Sequence, residues 1–209
     1  MNLQRWEQHG SSVDLPPGAP ERLLAELDIP QSSVVGVFSP TPDFFAIPLA
    51  ARVGSRGQVY SIQLTDDVSL KPASNRAFPG LVQIRHKENG RLPLEDGAVD
   101  IALWAFSFRT LRHVGSMLDE TRRVLRPGGR LAVVDWIRQE EAFGPCRDDR
   151  VSAATCERCL SAGGFGLVGQ RSLNESHYLI VGRRPMGDAK GSTWDNFTIS
   201  FRPGTEGRF

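Results

Sequence analysis

Disulfides, a dominant charge and long apolar runs are all missing from this chain, and each absence removes a class of protein. Three cysteines among 209 residues do not make a disulfide framework. With 25 Lys+Arg against 24 Asp+Glu, the formal charge of +1 exerts no global pull on nucleic acid or an anionic membrane. Nowhere do 18 apolar residues follow one another, and MNLQRWEQHGSSVDLPPGAP has no basic segment leading into an apolar stretch. The expectation is a cytoplasmic protein without a membrane span or a nucleic-acid partner. There is no internal repeat, and no nucleophile, base and orienting group can be assembled from spacing alone. What remains is 40% hydrophobic content, enough for one substantial core.

That content is concentrated in Leu92 to Trp136, which reads as turn, buried strand, loop, amphipathic helix, tight turn and second buried strand. Val99, Ile101, Leu103, Ala105 and Phe106 form one apolar run, and Leu131 to Val134 form another after Pro127-Gly128-Gly129. Between them Val114, Met117, Leu118, Thr121, Val124 and Leu125 recur at helical spacing. Two wholly apolar strands joined by a helix predict a parallel sheet covered on both faces.

The same alternation extends outward. Strands are expected at Ser33 to Phe38, Gln58 to Leu64 and Leu81 to Arg85, with a helix from Phe44 to Val53 and a polar helix within Asp66 to Arg76. Pro20 can start a short helix at Glu21 to Leu27. Arg147 to Ala162 reads as a helix, and Gly166 to Arg171 with His177 to Gly182 as a closing antiparallel hairpin. Residues 1–30 form the lead-in, 31–185 the domain and 186–209 a polar tail, in which Asn196 to Phe201 alternates like a strand. Gly164, Gly166 and Gly169 spell G-x-G-x-x-G. They follow a helix and enter a strand, the reverse of the dinucleotide-binding context, so a turn is expected.

The run LPLEDGAVDIAL, followed by a helix ending RRVLRPGGRLAVVDW, resembles the small-molecule branch of class I S-adenosylmethionine-dependent methyltransferases. AGGF (Ala162 to Phe165) and HYLIVGRRP (His177 to Pro185) are similar to features of quinone and arsenite methyltransferases. The resemblance implies an α/β, doubly wound Rossmann-like sandwich with a mostly parallel seven-stranded sheet and an antiparallel C-terminal hairpin. It also implies S-adenosylmethionine as cofactor, lying over the carboxyl ends of the strands.

Against that family pattern the first strand-to-helix turn departs at every position. Val37 stands where an acid is expected, and Ser39, Thr41 and Asp43 stand where three glycines are expected. Pro40 and Pro42 remove amide donors, although Thr41 as N-cap with Pro42 after it starts a helix well. At the end of the second strand, Gln63 replaces the carboxylate that takes the ribose hydroxyls, and an amide lacks the charge-assisted bond. A combined loss of roughly 3 kcal/mol lowers affinity about a hundredfold. Glu88 stands near the family's acid for the adenine amino group. Asp100 opens the next strand as in the family, and equally suits a structural cap. Asp66 or Asp67 offers a substitute carboxylate.

Trp104, Phe106, Phe108 and Trp136 fall at strand ends, where they either line an acceptor pocket, with Trp104 stacking on an adenine, or pack as core. Arg109, Arg112 and His113 read as an anion or proton site or as solvated surface, and Arg122-Arg123 and Arg183-Arg184 as solvated element ends. Cys146, Cys156 and Cys159 cluster closely enough to hold a soft metal or arsenite through thiolates, although a fourth ligand is missing.

Three functions follow. The first is a divergent, non-catalytic methyltransferase-family module with weak or absent cofactor binding, serving a small molecule, a protein partner or a homodimer. The second is an active small-molecule methyltransferase with rebuilt contacts, and the third a thiol-based metal or metalloid binder.

Overall fold

The computed structural model describes residues 19–64, 69–72, 78–86, 90–142 and 144–187. The elements in chain order are α1 (Ala19–Ala25), β1 (Val34–Phe38), α2 (Asp43–Val53), β2 (Gln58–Leu64), β3 (Ser69–Pro72) and β4 (Leu81–His86). They continue with β5 (Val99–Ala105), α3 (Val114–Val124), β6 (Leu125–Trp136), α4 (Ala153–Ala162), β7 (Gly166–Ser172) and β8 (His177–Arg183).

One sheet of eight strands results, in the order β3-β4-β2-β1-β5-β6-β8-β7. β4, β2, β1, β5 and β6 are parallel neighbours, and β8 and β7 close the far edge antiparallel. The expected doubly wound fold is present, with one strand more than seven. That strand is a correction: Ser69–Pro72, placed within a polar helix by the sequence, pairs antiparallel with β4 as an edge strand. Pairing to β4 satisfies its backbone without any helical apolar stripe, which the sequence there does not supply.

Period two in the central strands divides the core. Ile101, Leu103 and Ala105 face α1 and α2, with Leu24, Phe45, Leu49, Val35 and Val37. Ala102 and Trp104 face α3 and α4, with Met117, Leu118, Leu160 and Val133. Both faces are covered, as the continuous apolar runs require. Among the described residues no helix is long and apolar enough to cross a membrane.

Arginines fasten the central crossover. Arg123 bonds Glu120 at 2.5 Å, Asp96 at 2.6 Å and the Leu92 and Leu94 carbonyls, tying the LPLEDG turn to α3. Arg184 donates to the carbonyls of Arg122, Arg123 and Leu125, satisfying acceptors that a helix end leaves open. These two are structural fasteners, a correction to their reading as solvated ends. The Pro-Gly-Gly turn forms a bulge inside β6 rather than preceding it, with Gly128 at φ 74°. A side chain there would also strike Met186 Sδ at 2.6 Å.

Helix boundaries shift modestly. Arg147 to Ala162 divides into a single 3-10 turn (Arg147–Asp149) and α4, capped by Ser152 Oγ accepting from Thr155 N–H at 3.2 Å. Of the G-x-G-x-x-G glycines, Gly164 sits in the turn at φ 78° and the other two lie in β7, as expected.

Candidate active site at the carboxyl ends of the strands

Strand order reverses between β1 and β5, so the crevice of this fold opens at their carboxyl ends. The β1–α2 turn forms its floor. Val37 is fully buried among core residues and offers no acid there. Ser39 is buried, and its Oγ accepts from Thr41 N–H at 3.3 Å. The N-cap position falls on Pro42, not Thr41 as expected, and provides no side-chain bond.

Asp43, the first residue of α2, is the most telling. Its Oδ1 accepts from Ser61 Oγ at 2.6 Å and its Oδ2 from Gln83 Nε2 at 2.8 Å. Ser61 and Gln83 are paired neighbours on β2 and β4, so one carboxylate ties the helix to both strands. A carboxylate at a helix N-terminus is also favoured by the macrodipole. Where the family has a bare glycine, this chain has an acid already bonded from two sides. Gln63 lies two residues beyond Ser61 on the same face, half-buried and opposite Arg85. Glu88, Asp66 and Asp67 lie outside the described residues.

Trp104 is a correction. It is 1% exposed on the α3/α4 face, with ring centroids 6.0 Å from Phe38 and 5.7 Å from Phe108. Buried there, it belongs to the core and presents no face to an adenine. Asp100 resolves toward the structural reading: its Oδ2 accepts from Val34 N–H and its Oδ1 from Arg126, at the amino ends of the strands.

The ends of β5, β6 and β8 hold a different constellation. Phe106, just past β5, adopts φ 55°, a left-handed conformation that costs a non-glycine residue of order 1–3 kcal/mol. Its ring centroid lies 6.1 Å from Phe45, 5.7 Å from Trp136 and 5.3 Å from His177. Trp136 and His177 are cross-strand partners with rings 4.3 Å apart, and the Arg150 guanidinium lies 4.9 Å from the Trp136 ring centre. Arg150 also bonds the Pro145 and Ile137 carbonyls and pairs with Glu141 at 2.5 Å. Burial pushes the Glu141 carboxyl upward, but bonds from Ser176, Gln139 and Arg150 more than offset it and hold it low.

Asp135 is fully buried beside Trp136, whose N–H it accepts at 2.8 Å. Burial raises its carboxyl to about 6, against the opposing influence of that amide, Arg109 and Arg150. Burial likewise lowers His177 to about 4. Sequence reading passed over Asp135, Glu141, Arg150 and His177. The one available signal was an acid ending the apolar run in VVDW. Arg109, read as loop surface, is half-buried, and its burial opposes its charge; Arg112 and His113 are exposed.

The thiol site does not assemble. Cys146 is exposed, while Cys156 and Cys159 are buried on α4 with their thiols pushed up, Cys159 to about 12. Buried, protonated thiols are poor ligands. Among the described residues no group of three His, Cys, Asp or Glu side chains could hold a metal ion.

Comparison with known proteins places this geometry. Residues 42–133 match a family model described as a methyltransferase domain. Over that stretch, somewhat less than half of its length, the chain is similar to a methyltransferase domain. Over 97 residues the domain is 36% identical to a 2-phytyl-1,4-naphtoquinone methyltransferase of Trichormus variabilis, covering 44% of this chain and 42% of that protein. It is 30% identical to a ubiquinone/menaquinone biosynthesis C-methyltransferase of Bordetella avium, over 57% of this chain and 46% of the relative. The chain therefore spans less than half the length of these two curated relatives.

The fold is shared with a SAM-dependent methyltransferase of Aquifex aeolicus, at TM-score 0.74 and 21% identity over 88% of this chain and 98% of that one. It is also shared with the [4+2]-cyclase SpnF, at TM-score 0.61 and 14% identity, over 79% of this chain and 81% of the cyclase. One architecture thus carries methyl transfer and cyclisation, and the site has to be argued from its own residues.

Proposed function

We propose that this methyltransferase-family domain binds S-adenosylmethionine weakly or not at all and serves as a non-catalytic binding or regulatory module. Asp43 carries the reading. Its carboxylate occupies the start of α2 and is held by Ser61 and Gln83, where the family leaves backbone open to the cofactor. The arrangement fits the cofactor poorly, since the loop has prolines in place of two amide donors, Val37 in place of an acid and Gln63 in place of a carboxylate. The aromatic cluster supports the same reading: Phe106, Trp136 and His177 are each at most 8% exposed, filling the strand ends with protein.

Titration calorimetry of the full chain with S-adenosylmethionine and S-adenosylhomocysteine is expected to give no saturable heat below about 100 μM. Saturation at a few micromolar would reject the proposal. Ser39→Gly, Thr41→Gly and Asp43→Gly combined with Gln63→Glu should bring affinity into the measurable range.

A second reading, an active small-molecule methyltransferase, draws on Phe106: left-handed backbone at the end of β5 is the kind of strain that functional sites hold. Transfer of labelled methyl from S-adenosylmethionine to a small-molecule extract by the wild-type chain, lost in Phe106→Gly, would favour it.

A further inference from the structure

At the opposite, amino-terminal end of the parallel strands, a cavity of about 490 Å³ opens between the start of β1 and the bulge of β6. Arg126, Arg130 and Arg183 line it, with Asp100, Gln31 and Ser32. Among the described residues lining it, three guanidinium groups meet one carboxylate, an excess of two positive charges.

The hydrogen bonds sharpen the imbalance. Both Asp100 oxygens are engaged, by Val34 N–H at 2.7 Å and by Arg126 Nε at 2.5 Å. Arg126 uses only its Nε in that bond, leaving its terminal nitrogens for a ligand. Arg130 gives one nitrogen to the Asp28 carbonyl at 2.8 Å. The Arg183 guanidinium has no partner among the described residues. Moreover, Arg130 and Arg183 stand directly opposite each other on antiparallel β6 and β8. Like charges in that position destabilise a sheet unless an anion lies between them.

We propose that this cavity binds the phosphate group of a small soluble phosphomonoester, independently of the cofactor crevice. A dianionic phosphate balances that excess of two charges, which a single carboxylate would not. Planar guanidinium forks match phosphate oxygens in pairs. The volume lies in the range of small-molecule sites and exceeds what inorganic phosphate fills, leaving space for an organic body against Ile101 and Pro30.

Calorimetry on the full chain with phenyl phosphate and with inorganic phosphate tests this. Saturable binding of both is expected, phenyl phosphate the tighter. Arg183→Gln and Arg130→Gln should each weaken it about tenfold, with Arg112→Gln at the other end of the sheet as the unaffected control. Added phosphate should raise the thermal midpoint of the wild type and raise that of Arg183→Gln by clearly less. Absence of saturation, or variants that bind like the wild type, would overturn the proposal. So would Arg183-dependent sedimentation with phosphatidylglycerol vesicles in the absence of phenyl phosphate binding, which would assign the cavity to a lipid surface.

Discussion

The two ends of the sheet are built on different principles. At the carboxyl end, charged and aromatic groups are withdrawn from solvent: Asp135 has no exposed surface, His177 is 3% exposed, and Arg150 is covered by Trp136, Glu141 and two carbonyls. At the amino end the arginines stay partly exposed around an open cavity, with the Arg126 side chain 57% accessible. The difference teaches that one sheet can hold charge in two ways, paired and covered by neighbours at one end and open to solvent at the other, because the strands fix the frame while the connecting segments vary.

The first way to break this contrast is to remove what both ends share. Trp104 is packed between Phe38 and Phe108 under α3 and α4, in the core cluster that runs from Val99 and Leu125 at the amino end to Phe108 at the carboxyl end. Trp104→Ala should cost about 3–5 kcal/mol, the range for deleting a buried aromatic. Urea denaturation measures it. A loss under about 1 kcal/mol would mean the indole faces a cleft after all.

The fold was legible because period and run length outweigh everything else in β5, α3 and β6. β2 matches its expected span of Gln58 to Leu64, and α3 falls within the expected apolar recurrence. β3 was missed because four polar-flanked residues on an edge have no pattern beyond the partner that accepts them. Substitutions at Ser39, Thr41, Asp43 and Gln63 could be seen in the chain, but not the use to which Asp43 is put. Its partners are 18 and 40 residues away and become neighbours only through the β2–β4 register. Both the Trp136–His177 contact and the Arg130–Arg183 opposition come from the antiparallel register of β8 on β6, information carried by neither segment alone.

A second, smaller effect distinguishes the closed end by its response to acid. His177 falls from 6.5 to about 4 on folding, so its contribution is intact above pH 6.5 and is lost as pH drops through 4. Asp135 rises from 3.8 to about 6, so its contribution is complete below pH 3.8 and is lost as pH climbs through 6. Each change is roughly 3 kcal/mol, with opposite sign over nearly the same window, and in the wild type they largely cancel. Asp135→Asn should expose the histidine and lose roughly 3 kcal/mol more than the wild type between pH 7 and pH 4. His177→Gln should do the reverse. Urea midpoints measured across that range would contradict the buried pair if all three proteins run parallel.

The smallest expected effect belongs to the open end, and its sign matters more than its size. Among the described residues Arg183 has no partner to lose, and the residue it faces on β6 is another arginine. In phosphate-free buffer of low ionic strength, Arg183→Gln should therefore leave stability unchanged or raise it by up to about 0.5 kcal/mol. Salt should erase that gain, since screening relieves the same repulsion in the wild type. A loss of about 1 kcal/mol or more under those conditions would reveal a bond to Arg183 within the protein. The amino end would then be as internally satisfied as the carboxyl end, and the contrast between them would fail.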